Sequence, residues 1–271
     1  MSDADDISRR ACGAAQLSLV AWVWESPFRP LFAVSDAEIK AAVPEADESS
    51  RIPIDFTSLH IAAGDLSVIV DPGVATDEQR GRESRARFGR GFVAALGELG
   101  IDRDRVTHVV ISQRHGDHLN GVLLEDGLAY PNARHLISRI DREQGGAELD
   151  ALLGPVERAG LLDLVDGDHE IAPGVDLLAT PGETPGHISL RLRSEGETFF
   201  WVGDLLHHNI EIRNADWGPT AQASELAASR RRIWTEAATT DALVLWAHEA
   251  FPGWGHVESV DGGHAWRPLA S

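Results

Sequence analysis

The chain has 271 residues, 43% hydrophobic and 25% charged, with a formal net charge of −19. That composition supports a folded core and excludes a disordered or fibrous chain. So acidic a chain is a poor partner for nucleic acid or an anionic membrane, because affinity for a polyanion rests on Lys and Arg displacing counterions.

The N-terminal MSDADDISRR is acidic and lacks the apolar stretch of a secretory signal. No apolar run reaches the ~18 residues needed to span a bilayer, so the expectation is a cytoplasmic protein. Residues 16–24 alternate as a strand, and 55–62 and 66–70 form a second pair of β-like runs parted by Gly64 and Asp65. Asp71-Pro72-Gly73 closes the latter with a turn signal. Phe88, Phe92, Leu96 and Leu99 recur at helical spacing over 86–99, with Gly100 as the stop. Val106 to Ile111 is almost wholly apolar, as a buried strand should be.

In the second half, 134–138 reads as a strand, 139–153 as a helix and 175–179 as a strand. His187 to Arg193 alternates Ile188, Leu190 and Leu192 against polar residues, and 198–203 returns as its hairpin partner after a Ser194–Glu197 turn. Leu226, Arg230, Ile233, Trp234 and Ala237 form a helical stripe, 242–246 a last buried strand, and 256–267 an added edge strand. Residues 40–53 and 74–86 have the composition of surface loops. No linker demands a second domain, so 1–271 is expected to form one mixed α/β domain.

Cys12 is the only cysteine, which excludes an internal disulfide and a Cys-rich zinc cluster. Any metal must be held by His, Asp, Glu or amides. Val106–Ile111 runs into Ser112-Gln113-Arg114-His115-Gly116-Asp117-His118. In an extended segment Gln113, His115 and Asp117 would share a face, with His118 joining as the chain turns. Two imidazoles and a carboxylate so close together are a nucleus for a divalent metal. Three other apolar strands end at polar residues beside Gly or Pro: Thr180 to His187, Phe200 to Asp204, and Leu245 to His248. Strand ends are where loops converge on a site.

This ordered series resembles the metallo-β-lactamase superfamily, whose pattern is HxHxDH, a His in a TPGH-type turn, an Asp after Gly-Asp, and a late His. The likeness covers about residues 50–260, and the GDLLHH and AHEAFPGWGHV segments resemble the branch holding methyl-parathion hydrolase and acyl-homoserine-lactone lactonases. It implies an αββα sandwich and a two-metal site. Position by position it assigns Asp117, His118, His248 and a bridging Asp204 to the second metal. For the first metal it leaves His115 and Asp204, with Gln113 and Glu183 standing where the family usually has His. His187, four residues past Glu183, is usually not a ligand in that family, but a local shift could recruit it.

The resemblance implies three readings. A metal-dependent hydrolase, with zinc the expected ion (one or two), would act on an ester, lactone or related small molecule through an activated water, with Asp117 or Glu183 relaying the proton. Two imidazoles replaced by an amide and a carboxylate favour a harder metal, iron or manganese, so a non-haem diiron oxygenase is the alternative. A non-catalytic metal-binding module is the third. The partner is a small-molecule substrate, and a homodimer is left open. Asp71 is expected to orient the His-rich loop, and Glu183 either binds metal or pairs with Arg114. His207 and His208 are read as pocket or core residues. His60, His108, His256 and His264 are read as structural. Trp217 and Trp254 are candidates to line a pocket, whereas the arginines at 82, 85, 87 and 90, and those at 230–232, read as helix faces without a role towards substrate.

Overall fold

The computed structural model describes residues 6–30, 32, 34–73, 87–88, 91–219 and 222–270. One sheet has the strand order Ile7–Cys12, Ala15–Phe28, Ile52–Ala63, Leu66–Val70, His108–Val110, Arg134–Ser138, Leu162–Val165. Its first four strands pair antiparallel and its last three join in parallel. The other sheet runs His169–Ala172, Val175–Ala179, Ile188–Ser194, Glu197–Trp201, Leu243–Leu245, Gly255–Val260, Gly263–Pro268. Only Glu197–Trp201 and Leu243–Leu245 pair in parallel there. Each half is a meander followed by a crossover through a helix.

Strand periodicity explains how the layers stack. Successive side chains point to opposite faces. Thus Val68 and Val70 enter the core between the sheets while Ile69 faces outward. Val110 and Leu136 likewise point in, and Val109, Ile111 and Ile137 point out. In the second sheet Phe199, Trp201 and Leu245 point in, and Phe200, Val202, Val244 and Trp246 point out. Helices cover both outer faces. Phe92–Glu98 and Gly146–Arg158 supply Phe92, Leu96, Leu149 and Leu153 to the first, and Ala223–Thr239 supplies Leu226, Ile233 and Trp234 to the second. The result is the expected αββα sandwich. No described helix is long and apolar enough to cross a membrane.

Several expected boundaries move. The helix expected over 86–99 spans only Phe92–Glu98, and Arg87–Phe88 instead pairs with Val23 and Trp24. Local spacing is blind to that strand partner. The 139–153 helix is two helices, Arg139–Gln144 and Gly146–Arg158, broken where Gly146 takes φ +67°. Residues 40–53 are not all loop, because helix Asp36–Ala42 reaches into them, started by a capping box between Ser35 and Glu38. The 256–267 segment is a hairpin. Strands Ile7–Cys12, Leu162–Val165 and His169–Ala172 were not foreseen. The expected 74–86 loop, and the side chains of the arginines at 82–90, lie outside the described residues.

Candidate metal centre

At one end the two sheets are joined by backbone hydrogen bonds. Thr57 N donates to Ala247 O at 3.0 Å, and Ile188 N donates to Ser112 O at 2.9 Å. Four strand ends therefore open onto one place. His108–Val110 leads to residues 112–118, Val175–Ala179 to 180–187, Glu197–Trp201 to Gly203-Asp204, and Leu243–Leu245 to His248. The 112–118 segment is not extended as expected. It leaves the strand, bends at His115 and enters a short helix, Gly116–Leu119, so Asp117 and His118 reach the site from a helical turn.

Asp117, His118, Asp204 and His248 offer ligand atoms that all lie within 4.8 Å of one another. His118 Nε2 stands 3.5 Å from Asp117 Oδ2 and 3.0 Å from Asp204 Oδ2. His248 Nε2 stands 3.5 Å from Asp117 Oδ2 and 3.0 Å from Asp204 Oδ1. Donors about 2.0–2.2 Å from a tetrahedral cation lie about 3.3–3.6 Å apart; the two edges to Asp117 match that spacing, and the two to Asp204 are shorter and run to its two different oxygens. Both imidazoles are tied from behind. His118 Nδ1 lies 3.1 Å from Asp71 Oδ2, and His248 Nδ1 lies 3.0 Å from the Asp55 carbonyl. Those partners fix the tautomer with Nε2 aimed into the cluster, as second-layer groups do for metal-binding histidines.

Asp71 does what the sequence suggested. Its carboxylate also accepts from Ser112 N (2.7 Å), Ser112 Oγ (2.8 Å) and Trp201 Nε1 (2.8 Å). The electrostatics favour a cation. Burial opposes charge on His118, but Asp204, Asp117 and Asp71 outweigh it and hold its pKa well above the usual imidazole value. Burial likewise opposes charge on Asp204, and His118 and His248 overcome it, lowering that carboxyl.

A second group shares Asp204. His115, Glu183 and Asp204 bring ligand atoms within 4.8 Å of one another, with His115 Nδ1 3.9 Å from Glu183 Oε1. His115 is the exposed member and Glu183 is half-buried. Gln113 is fully buried beside Asp204 and His118. Its Nε2 donates to Asp204 Oδ2 and lies 3.0 Å from His118 Nε2, while Oε1 has no hydrogen-bond partner. The structure thus brings all seven sequence-predicted residues to one locus.

Other expectations change. Glu183 does not pair with Arg114, which instead binds Asp141 at 3.2 Å. No local shift recruits His187 as a ligand: its Nε2 accepts from Asp204 N at 3.1 Å and its Nδ1 meets Thr180 Oγ1 at 2.9 Å. Burial lowers its pKa to about 4, which keeps it neutral for that task. Trp254 is buried in the core between the sheets, its Nε1 donating to Ser8 Oγ. Trp217 lies against Phe32, their rings 5.3 Å apart. Arg230 is fully buried, donating to the carbonyls of Leu205, Ala215 and Trp217 and to Glu211. Glu211 in turn accepts from the backbone of His207 and His208, pinning the segment after Asp204.

Sequence reasoning missed an aromatic wall beside His248. His207 stacks on His248 (5.3 Å, 9°) and on Phe28 (4.6 Å, 14°), and Phe56 meets His248 edge-on at 4.7 Å. Phe28 and Phe56 lie far along the chain from any motif, so no spacing signal marks them.

Residues 57–248 match the profile of the Metallo-beta-lactamase superfamily. Two N-acyl homoserine lactonases, from Bacillus sp. and Bacillus cereus, are each 31% identical over 104 residues, 38% of this chain and 40% of theirs. The chain spans about two fifths of the length of the curated relatives it matches. Among solved structures, AidC, a dizinc quorum-quenching lactonase in complex with a homoserine product, aligns with a TM-score of 0.81 at 20% identity, covering 100% of this chain and 99% of that one. The hydrolase AbOPH aligns with a TM-score of 0.81 at 17% identity, covering 98% of each chain. At these identities both alignments show a shared fold.

Proposed function

The chain belongs to the metallo-beta-lactamase superfamily, and we propose that it is a metal-dependent hydrolase of a small ester or lactone. The observation that carries this reading is the convergence of Asp117, His118, Asp204 and His248, whose ligand atoms lie within 4.8 Å of one another, with both imidazole Nδ1 atoms tied back. Asp117, His118, Asp204 and His248 would hold a divalent cation, zinc by the donor set, which when bound would supply Lewis acidity and a nucleophile from water at neutral pH. Asp117, whose side chain is 29% exposed, is the carboxylate open to solvent and suited to accept a proton. Glu183 is the second candidate for that role. Phe28, Phe56 and His207 form an aromatic wall beside His248 against which the substrate's apolar part would lie. Similarity to N-acyl homoserine lactonases makes an acylated lactone the first substrate to try.

One observation favours a second reading. The group of His115, Glu183 and Asp204 has two carboxylates and one imidazole, a harder donor set that suits iron or manganese and oxygen chemistry.

Protein purified without added metal should carry at least one equivalent of zinc and open an N-acyl homoserine lactone or a p-nitrophenyl ester. Chelation should abolish turnover and lower the melting temperature, and His118→Ala should do the same. An unimpaired His118→Ala protein would remove the four-residue cluster from the mechanism. Two equivalents of iron with a near-ultraviolet oxo-bridge band would move the assignment to an oxygenase. No metal, with stability indifferent to chelator, would refute both.

A further inference from the structure

Asp141 belongs to no motif, yet its side chain is 0% exposed. It sits on helix Arg139–Gln144 and faces the two loops that carry His115 and Glu183. Its Oδ1 accepts from Gly186 N at 3.0 Å and Arg114 Nη1 at 3.2 Å. Its Oδ2 accepts from Thr184 Oγ1 at 2.6 Å and Arg114 N at 3.2 Å. All four bonds go to residues flanking the candidate ligand pair: Arg114 precedes His115, and Thr184 and Gly186 follow Glu183. The approach is close enough that a Cβ on Gly186 would fall 2.6 Å from Asp141 Oδ1 and 2.6 Å from Ser138 Oγ. By contrast, the described hydrogen bonds behind His118 and His248 come from Asp71, Ser112 and Asp55, with no contribution from Asp141.

We propose that Asp141 is the positioning residue of the His115–Glu183 group, holding its two loops at the separation a second cation needs and keeping the Arg114 guanidinium away from Glu183. The inference rests on the metal-dependent reading above and concerns only its second cation. Charge gives the second half of the argument. Arg114 adjoins His115, and its charge would compete with a cation for the Glu183 carboxylate. Asp141, with Gln144 Oε1 at 3.4 Å, occupies that guanidinium instead. Removing the Asp141 charge would release Arg114 and loosen both loops together.

The test is a zinc titration of the chelator-stripped full chain by calorimetry, with metal content checked after desalting. The parent should bind two equivalents, one tight and one weaker. Asp141→Asn should bind the tight equivalent as the parent does and lose about 10- to 100-fold affinity for the weaker one, the usual cost of removing a group behind the ligands. Thr184→Val, which deletes one of the four bonds, should show a smaller loss at the same equivalent. Arg114→Met combined with Asp141→Asn should recover part of the affinity, because the competing charge is gone. A general weakening of the fold would lower both equivalents together, and that result would overturn the proposal. So would an Asp141→Asn protein with parental affinity at both, or a double variant with no recovery. A parent that binds one equivalent would also overturn it and leave the hydrolase reading standing, whereas a parent that binds none would remove that reading as well.

Discussion

Gln113 poses the sharpest question about a single side chain. Its amide N–H points at Asp204 Oδ2, and its carbonyl oxygen is buried with no partner. A buried unpartnered acceptor costs about 1–3 kcal/mol, and the end of an amide facing a carboxylate is a hydrogen-bond donor rather than a metal donor. An imidazole in the same place offers a lone pair. Gln113→His together with Glu183→His should therefore tighten zinc at the His115 side and fix the stoichiometry at two. If the double variant binds the weaker zinc equivalent no more tightly than the parent by calorimetry, the placement of these residues beside the second cation fails. The ligand candidates were legible at this scale because each belongs to a short motif at a strand end. Asp141, Arg230, Phe28 and Phe56 were not, because each acts through partners far from it along the chain.

Turns between elements aim the ligands. Gly203 takes φ +53° between strand Glu197–Trp201 and Asp204, and a Cβ there would lie 2.7 Å from His187 Nε2 and 2.9 Å from Ser112 Oγ. Only glycine meets both demands cheaply. Gly203→Ala should destabilise the fold by roughly 1–3 kcal/mol and weaken the tight zinc equivalent, since His187 orients Asp204 through its backbone N–H. A parental melting temperature and parental zinc affinity would show that the turn tolerates the side chain. Elements with strong internal periodicity, such as 134–138 and 175–179, were legible to the residue. Two-residue Arg87–Phe88 and the break at Gly145-Gly146 were not, since a partner strand and a left-handed residue decided them.

The layered core sets a pH dependence for the whole molecule. Burial lowers the pKa of both His60 and His135 to about 4. Below the ordinary imidazole value of about 6.5 the unfolded chain takes up protons that the folded protein refuses. Their contribution to stability should thus be full above pH ~6.5 and fall as pH drops towards ~4, by on the order of 3 kcal/mol per histidine. His60→Gln, which retains a polar partner for Ser67 Oγ (2.9 Å from the native ring), should flatten the melting-temperature slope in that window. An unchanged slope would assign the acid sensitivity elsewhere.

The amino-acid order by itself determined the alternation that sends Val68 and Val70 one way and Ile69 the other, and the polar residues stationed at four strand ends. Both are local properties, set by the two-residue period of a strand and by the turn chemistry that follows it. Only the tertiary structure decided that Asp204 is shared by two groups, that Arg114 goes to Asp141 rather than Glu183, and that Arg230 is buried under the loop it clamps. Those outcomes depend on which distant segments the packing of two sheets brings within hydrogen-bond reach, and spacing along the chain carries no record of that distance.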